Sequence, residues 1–172
     1  MTWLTVFPEN TPLAQGCVVA IGNFDGVHQG HLHVLALAKS EAEARHVPLV
    51  VLTFEPHPRS VLRPDVPLMR LTTLDEKVVL LAKAGVDGVA VLNFSLEMAG
   101  WTPAYFMDEV LVRWLGAKAV CVGENFRFGH KASGDVELLA PQTTFTTHAV
   151  PLFKDEAGVV SSSRLRAQKA VV

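Results

Sequence analysis

Residues 22–31 of the chain, GNFDGVHQGH, place two histidines three positions apart among three glycines. The segment directly follows an apolar, strand-like run and opens a helical pattern. Glycines let a ligand approach the backbone closely, and the free N–H groups of a helix N-terminus favour a phosphate. His28 and His31 share one face of a helical turn, where two imidazoles could donate hydrogen bonds to phosphate oxygens or hold positive charge against a transition state. The segment therefore favours a phosphate-binding site with two chemically active histidines.

Two simpler interpretations of this segment stay open. A histidine pair at this spacing is often structural or holds a metal, although no third ligand of matching pattern accompanies it. Glycines after a first strand are also common in any doubly wound fold. The pattern is neither the dinucleotide fingerprint GxGxxG nor the phosphate-binding loop GxxxxGK[ST]. The combination of strand, glycine turn, two histidines and helix nevertheless favours the phosphate site.

Residues 160–166, VSSSRLR, form a second candidate site. Serines ahead of a helical pattern are typical of a helix N-cap, but arginines in a first turn oppose the helix dipole. A bound anion would remove that conflict. Arg164 and Arg166 are two positions apart and point to different sides, so we expect one alone to face such an anion. The alternative is a capped helix with exposed arginines.

Two further loops contain aromatic residues. Residues 54–59, FEPHPR, end a strand, and their prolines stiffen the chain so that it could cover a flat ligand. Residues 123–129, GENFRFG, alternate Phe126 and Phe128, whose rings could stack on another ring. A proline turn and a loop folded onto its own aromatic residues remain the alternatives.

A regular scaffold must position these segments, and apolar, β-branched runs alternate with helical patterns along the chain. Strands are predicted at residues 17–21, 49–54, 89–94, 117–122 and 146–153, helices at residues 31–46, 74–84 and 103–115, and a long ordered loop at residues 55–73. The strands are continuous apolar runs, a pattern typical of a parallel sheet covered on both faces. The sequence therefore predicts a single-domain α/β fold with a doubly wound parallel sheet, which binds ligands at the carboxyl ends of its strands.

Composition limits the kinds of function. The 172 residues, 49% of them hydrophobic, suffice for one domain with a proper core. A net charge of −2 argues against a protein that binds the phosphate backbone of nucleic acid. Cys17 and Cys121 lie in apolar runs outside any CxxC pair, which argues against a zinc site and suits a reducing cytoplasm. No signal peptide is expected, and no apolar run approaches the ~20 residues that cross a bilayer.

Taken together and in this order, the four segments resemble the FAD synthetase (FMN adenylyltransferase) module of prokaryotic bifunctional riboflavin kinase/FAD synthetases. GNFDGVHQGH resembles that family's form of the nucleotidyltransferase HxGH signature, and VLTFEPHPR, GENFRFG and VSSSRLR resemble its other motifs. RLTTLDEK, at residues 70–77, is also similar, and the resemblance spans residues 18–166. It implies a Rossmann-like nucleotidyltransferase fold that transfers AMP from ATP to FMN, with Mg²⁺, and gives FAD and pyrophosphate by direct in-line attack.

The resemblance also implies roles for individual residues. The implied catalytic residues are His28, His31, Ser162 and Arg166. The implied ATP-binding residues are Gly22, Phe24, Asp25, Gly30, Ser163 and Arg164. The implied FMN-binding residues are Phe54, Pro56, His57, Pro58, Asn125, Phe126 and Phe128, with Asn125 also a candidate metal ligand.

The sequence departs from the family pattern at several points. Ser163 and Leu165 replace a threonine and an isoleucine, and Asn125 stands where many members have aspartate, which leaves its metal role open. The family's chain continues into a riboflavin kinase β-barrel, which we do not expect within residues 1–172. Two other functions stay open, namely transfer to another small phosphate acceptor and flavin or nucleotide binding with little catalysis. No nucleic-acid or membrane partner is expected, and the sequence does not predict the oligomeric state.

Overall fold

The computed structural model describes residues 2–7 and 15–170, without the side chains of residues 169 and 170. Within these residues, parallel strands form a six-stranded sheet in the order β1-β4-β3-β2-β5-β6. The strands are β1 (Trp3–Val6), β2 (Cys17–Ile21), β3 (Leu49–Glu55), β4 (Gly88–Asn93), β5 (Ala117–Gly123) and β6 (Thr146–Val150). An antiparallel hairpin of β7 (Lys154–Asp155) and β8 (Gly158–Val159) follows the sheet.

Helices connect the strands and flank the sheet. They are α1 (Gln29–Arg45), α2 (Pro58–Leu62), α3 (Leu74–Lys83), α4 (Leu96–Ala99), α5 (Pro103–Tyr105), α6 (Val136–Leu139) and α7 (Ser162–Ala170), with a 3₁₀ turn at His130–Ala132. α5 runs into a π-helical stretch, Phe106–Trp114. At its end the amide of Leu115 donates to the carbonyl of Val110, five residues back, at 3.1 Å.

The sheet is covered on both faces, as the continuous apolar strands predict. Every residue of β2 is buried. Its odd-numbered residues pack in one apolar cluster with the Phe106–Trp114 helix, whereas Val18 and Ala20 pack in another with α1. The predicted doubly wound α/β fold is confirmed, because such two-sided burial is what a parallel sheet with helical crossovers requires.

The structure corrects two predicted elements and adds a strand. The strand predicted at residues 146–153 ends at Val150, since Pro151 offers no N–H to extend the ladder. The loop predicted at residues 55–73 contains the short helix α2, with Pro58 at its first position. β1, which no pattern indicated, is a four-residue edge strand paired with β4. A strand of four residues is too short to show a detectable periodicity in the sequence.

The middle of the sheet contains the point where the winding reverses. β2 pairs with β3 on one side and with β5 on the other. Ligands of such folds bind in the crevice at this reversal, beyond the carboxyl ends of the strands. GNFDGVHQGH follows β2 and GENFRFG spans the end of β5, so the two segments meet at that crevice.

Candidate active site

Two cavities adjoin at the carboxyl ends of β2 and β5. The smaller one, of about 370 Å³, is called the histidine cavity and is lined by residues that include His28, His31, Ser162 and Arg166. The larger one, of about 760 Å³, is called the aromatic cavity and is lined by residues that include Phe54, Phe94, Trp101, Phe106, Phe126 and Phe128. Gly22, Asn23, Asn125 and Phe126 line both. A ligand that occupies both cavities must therefore pass these four residues.

His28 and His31 cap the N-terminus of α1 reciprocally. Nδ1 of His28 accepts hydrogen bonds from the amides of Gly30 (3.0 Å) and His31 (3.3 Å). Nδ1 of His31 accepts one from the amide of His28 (3.2 Å), and the two rings stack with their centroids 3.6 Å apart. This is a capping box made of imidazoles instead of a hydroxyl and a carboxylate. The caps hold both rings in one orientation.

The caps also determine where each imidazole carries its proton. A neutral ring whose Nδ1 accepts a hydrogen bond has its proton on Nε2. Burial, the repulsion that a protonated His28 would exert, and the charge of Lys77 lower the pKa of His31 to about 3. Burial, and secondarily the charge of Arg164, also lowers the pKa of His28. Both rings are therefore neutral Nε2–H donors near neutral pH, which favours hydrogen-bond donation over the positive charge that the sequence left open.

Two glycines allow the turn before α1. A Cβ atom at Gly30 would lie 2.9 Å from Cε1 of His28, so any larger residue would displace the capping ring. Gly26 has φ +85°, and Phe24 and Val27 beside it have φ of 52° and 41°. Bulky and β-branched residues rarely adopt positive φ, and such strain persists where the surroundings hold it in place. The strained turn brings Asp25 beneath the histidine cavity.

Asp25 is buried and joins three segments of the chain. Its carboxylate accepts hydrogen bonds from the amides of Leu71 and Thr72, each at 3.0 Å, and from Nη2 of Arg166 at 2.6 Å. Its carbonyl oxygen accepts one from the Ser162 hydroxyl at 2.7 Å. Burial raises the pKa of the carboxyl group, but the bonds from Arg166 and the two amides outweigh it and lower the pKa to about 2. Asp25 is thus an anion that fixes α7 against the turn.

The two arginines of α7 have different surroundings. Arg166 lines the histidine cavity, pairs with Asp25, and places its Nη2 3.5 Å from Nε2 of His57. Arg164 forms a bidentate ion pair with Asp155 of the β7–β8 hairpin and lines neither cavity. Of the two, Arg166 is the one placed to meet an anion in the histidine cavity.

Comparisons with known proteins identify the family of the chain. The FAD synthetase family model matches residues 10–164. The chain belongs to the FAD synthetase family. One curated relative, a bifunctional riboflavin kinase/FMN adenylyltransferase from Escherichia coli K12, is 42% identical over 125 residues, which cover 73% of this chain and 40% of the relative. A relative of the same name from Pseudomonas fluorescens is 36% identical over 158 residues, which cover 90% of this chain and 50% of the relative. The chain spans about half, or less, of the length of these relatives.

A solved structure gives the same view of the fold. A protein from Streptococcus pneumoniae, described as a macrolide-efflux protein, superposes with a TM-score of 0.85 at 27% identity, over 97% of this chain and 57% of that chain. The fold of this FAD synthetase chain is thus shared over nearly its entire length. In the described part of the chain, no helix is both long and apolar enough to cross a membrane.

The residues predicted to act on phosphates gather in one place. All four implied catalytic residues line the histidine cavity. The implied ATP-binding residues that also line it are Gly22, Phe24, Gly30 and Ser163. Asp25 instead lies beneath it, where its carboxylate bonds Arg166. Arg164 points toward the β7–β8 hairpin, where it pairs with Asp155.

The residues predicted to hold FMN divide between the two cavities. Those that line the aromatic cavity are Phe54, Pro58, Asn125, Phe126 and Phe128. His57 lines the histidine cavity, because it caps α2 through a hydrogen bond from the amide of Arg59 to its Nδ1 (3.2 Å). Pro56 lines neither cavity. The FEPHPR segment therefore contributes to both cavities.

A buried group of charges beside β3 was not predicted from the sequence. Nζ of Lys77, a residue only 1% exposed, donates to Thr53 Oγ1 and to Glu55 Oε1, both at 3.0 Å. Arg70 binds the same Glu55 carboxylate with two hydrogen bonds, of 2.8 and 3.1 Å. One signal was available in the sequence, since Lys77 stands one turn before Leu81 on the apolar side of α3. A charge there needs a buried partner.

The predicted metal role of Asn125 remains a prediction. The described residues contain no group of three or more His, Cys, Asp or Glu side chains that could hold a metal ion. The nearby carboxylates of Asp25 and Glu55 are engaged by arginine and lysine side chains. Neither carboxylate is therefore free to bind a metal ion without giving up these partners.

Acid is expected to destabilise the folded chain through His57. Burial, and then the charge of Arg166, lowers the pKa of this buried histidine to about 4, below the ~6.5 of an unfolded chain. The unfolded state therefore binds the proton more tightly, so the stabilisation is complete above pH 6.5 and is lost as the pH falls toward 4. One such group costs about 2 kcal/mol between pH 6.5 and 5.

Urea denaturation at pH 7.5, 6.5 and 5 measures this effect. As the pH falls from 6.5 to 5, we expect the free energy of unfolding to decrease less steeply in His57→Gln than in the parent chain. The two slopes should differ by the uptake of about one proton on unfolding. Equal slopes in both proteins would show that His57 is not held neutral by the fold.

Proposed function

We propose that this chain transfers AMP from ATP to FMN and releases FAD and pyrophosphate. The main observation behind the proposal is that two cavities of different chemistry adjoin in one crevice. The histidine cavity offers hydrogen-bond donors and positive charge, and the aromatic cavity offers apolar walls of the size of a flavin ring. FMN has a phosphate at one end and an aromatic ring system at the other, so it matches the pair of cavities.

The histidine cavity supports the binding of the ATP phosphates. His28 and His31 present Nε2–H groups that their caps hold in place, and Arg166 adds a positive charge. The N-terminal ends of α1 and α7 face the same space, and helix N-termini favour anions. Donors held rigidly before the reaction need no reorganisation when negative charge develops, which is the main source of such catalysis.

The proposed step is a direct displacement at phosphorus. An oxygen of the FMN phosphate attacks the α-phosphorus of ATP. The new P–O bond forms while the bond to the bridging oxygen breaks, and pyrophosphate leaves with that electron pair. The attacking phosphate is already an anion, so no group has to remove a proton from it. Neutral imidazoles that only donate hydrogen bonds are sufficient for this step.

The surroundings of Ser162 support attack without a covalent intermediate. A nucleophilic serine needs an adjacent base that accepts its proton. The hydroxyl of Ser162 instead donates to the carbonyl oxygen of Asp25 at 2.7 Å. That bond ties the start of α7 to the GNFDG turn, and the serine thereby positions the phosphate site instead of reacting.

The aromatic cavity supports the binding of the isoalloxazine ring. Phe126 and Phe128 stack with their planes 13° apart and their centroids at 5.6 Å. Phe126 lines both cavities, so an isoalloxazine ring that packs beside it belongs to the same FMN molecule as a phosphate in the histidine cavity. Rings of this kind prefer offset stacking, which adds to the burial of apolar area.

Two finer statements belong to the same proposal. Mg²⁺ would arrive bound to ATP and neutralise part of the triphosphate charge, with the amide oxygen of Asn125 as the candidate ligand from the protein. The cytoplasm is the proposed location, where ATP and reducing conditions occur together. Cys17 and Cys121 are unpaired and buried, and burial raises the pKa of each thiol to about 12, which suits a compartment without disulfides.

A product assay tests the proposed function. The purified chain is incubated with ATP, Mg²⁺ and FMN, and chromatography detects FAD and pyrophosphate in equal amounts. Riboflavin in place of FMN is expected to give no FAD. If a folded chain formed no FAD but adenylylated phosphopantetheine or nicotinate mononucleotide, the acceptor would be wrong. If it bound ATP and FMN without any product, it would be a binding module.

Shortening Phe128 is expected to weaken FMN binding more than ATP binding. This ring is 6% exposed, lines the aromatic cavity and packs on Phe106 and Phe126. We expect Phe128→Leu to raise the KM for FMN by about fivefold and that for ATP by less than twofold, since loss of an aromatic contact costs ~1 kcal/mol.

A matched control separates the lost contact from lost stability. Phe145 is equally buried (4% exposed) in the same apolar cluster but lines neither cavity. Phe145→Leu is expected to lower the melting temperature as much as Phe128→Leu does and to leave both KM values in place. A larger rise in the KM for ATP than for FMN in Phe128→Leu would mean that the loop contacts the wrong substrate.

A further inference from the structure

Arg70 lines neither cavity, yet the residues that follow it hold the buried Asp25 carboxylate. The Arg70 side chain donates two hydrogen bonds to Glu55, of 2.8 and 3.1 Å. The next two residues, Leu71 and Thr72, donate their amides to the carboxylate of Asp25, each at 3.0 Å. One short segment, residues 70–72, therefore binds one carboxylate with a side chain and another with its backbone.

Glu55 is a firm anchor for this segment. It ends β3, and its Oε1 also accepts a hydrogen bond from the ammonium of the buried Lys77 at 3.0 Å. Lys77 donates a second bond to Thr53 of the same strand. The carboxylate is thus held from α3 as well as by Arg70, whose planar guanidinium forms the paired hydrogen bonds that a lysine cannot form.

The anchored segment leads to the histidine cavity through Asp25. This carboxylate accepts a hydrogen bond from Nη2 of Arg166, which lines the cavity, at 2.6 Å, and Nε of Arg70 lies 3.7 Å from its Oδ1. From α3 to the cavity, charges of opposite sign alternate in the series Lys77, Glu55, Arg70, Asp25, Arg166. In such a series the place of each charge depends on its neighbours, so a shift of Arg70 reaches Arg166.

Stability alone is a weak reason for this series of charges. Ion pairs removed from water often stabilise a fold no better than apolar side chains of the same volume. Paired hydrogen bonds do impose a defined geometry on their partners, and donors that act on a phosphate must be in place before the reaction. The series therefore favours a role in placing the guanidinium of Arg166.

We propose that Arg70 is a positioning residue of the phosphate site and acts through Asp25 on Arg166. Its anchorage on Glu55 places the two following amides on the Asp25 carboxylate, and that carboxylate orients Arg166 toward a bound phosphate. Arg70 itself touches no substrate. This inference rests on the proposed function for its ligand, ATP, and adds to it a residue that lies outside both cavities.

A double-variant cycle tests the inference. The proteins are the parent chain, Arg70→Met, Arg166→Met and the combination of both changes. Arg70→Met leaves Glu55 paired with Lys77, so the variant contains no carboxylate stripped of all its partners. Titration calorimetry measures ATP binding, FAD formation gives kcat, and urea denaturation shows that each protein is folded.

We expect Arg70→Met to weaken ATP binding by about fivefold in the parent background and by less than twofold in the Arg166→Met background. Groups joined through shared partners show coupling of this size, and a displaced guanidinium matters only where it is present. The value of kcat should follow the same pattern. A merely structural arginine would act alike in both backgrounds, so an equal loss in both, or no loss in either, would overturn the inference.

A second variant and a control complete the test. Arg70→Lys keeps the positive charge without the paired hydrogen bonds, so it should show the same dependence on Arg166, whereas parental ATP affinity would reduce the role of Arg70 to its charge and overturn the inference. Arg113 is an exposed arginine that pairs with Glu109 at 3.2 Å and lines neither cavity. Arg113→Met should keep ATP affinity and kcat within twofold of the parent values.

The two readouts separate this inference from the proposed function. ATP binding does not require a flavin acceptor, so the coupling between Arg70 and Arg166 is measured whether or not FAD is formed. A parent chain that forms no FAD would reject the proposed function and leave the binding cycle to decide the role of Arg70. A parent chain that forms FAD without this coupling would reject the role of Arg70 alone.

Discussion

Replacing His31 with alanine is expected to lower kcat by about 10²- to 10³-fold while the protein stays folded. The ring supplies a neutral Nε2–H donor toward the phosphates, and loss of one preorganised donor has this magnitude in related chemistry. The fold is expected to lose only about 1 kcal/mol, because the ring also accepts the amide of His28 at the helix cap (3.2 Å). Steady-state FAD formation and urea denaturation measure the two effects.

His33 supplies the matched control for this variant. It lies on the same helix, is exposed, and lines neither cavity. His33→Gln is expected to keep kcat within twofold of the parent value. A folded His31→Ala protein with parental turnover would remove this histidine from the mechanism.

Replacing Arg166 with methionine is expected to reduce both turnover and stability. Arg166 is the cation that lines the histidine cavity at α7, so its loss should lower kcat by about 10²-fold or more. The change also leaves the fully buried Asp25 carboxylate without its 2.6 Å partner. Removal of one member of a buried ion pair costs about 3 kcal/mol or more. Kinetics and urea denaturation on the same preparations measure both losses.

Two companion variants separate these effects. Asp25→Asn combined with Arg166→Met removes the carboxylate charge, which Arg70 alone would otherwise offset from 3.7 Å, so it should recover part of the stability and none of the turnover. Arg164→Met removes a surface ion pair with Asp155, and such pairs stabilise little, so it should reduce stability less than Arg166→Met does. If Arg164→Met lowered turnover more than Arg166→Met did, the assignment of the two arginines would be reversed.

The sequence predicted the scaffold because the scaffold depends on strong, repeated patterns. Continuous apolar runs indicated a parallel sheet, and both faces of β2 are indeed buried. GNFDGVHQGH and GENFRFG lie at the carboxyl ends of β2 and β5, and only the structure shows that these two strands are neighbours. The spacing of Arg164 and Arg166 predicted that they face different sides, but their partners identify which one faces the cavity.

The parts that the sequence did not predict depend on single distant contacts. Histidine rings as helix caps, with Nδ1 engaged by amides, leave no mark in residue type or spacing. The bonds of Lys77 to Thr53 and Glu55 join α3 to β3, 24 and 22 residues away.

The hydrogen bond between Asp25 and Arg166 affects the order in which parts of the protein fold during translation. The two residues are 141 positions apart. The aromatic cavity is lined by residues no later than Ala132, whereas the histidine cavity needs the start of α7. Because chains fold from the N-terminus as they emerge, a nascent chain can form the walls of the aromatic cavity, the proposed flavin site, before it can form those of the histidine cavity, the proposed phosphate site. The growing polypeptide would gain affinity for its aromatic ligand first and chemical competence last.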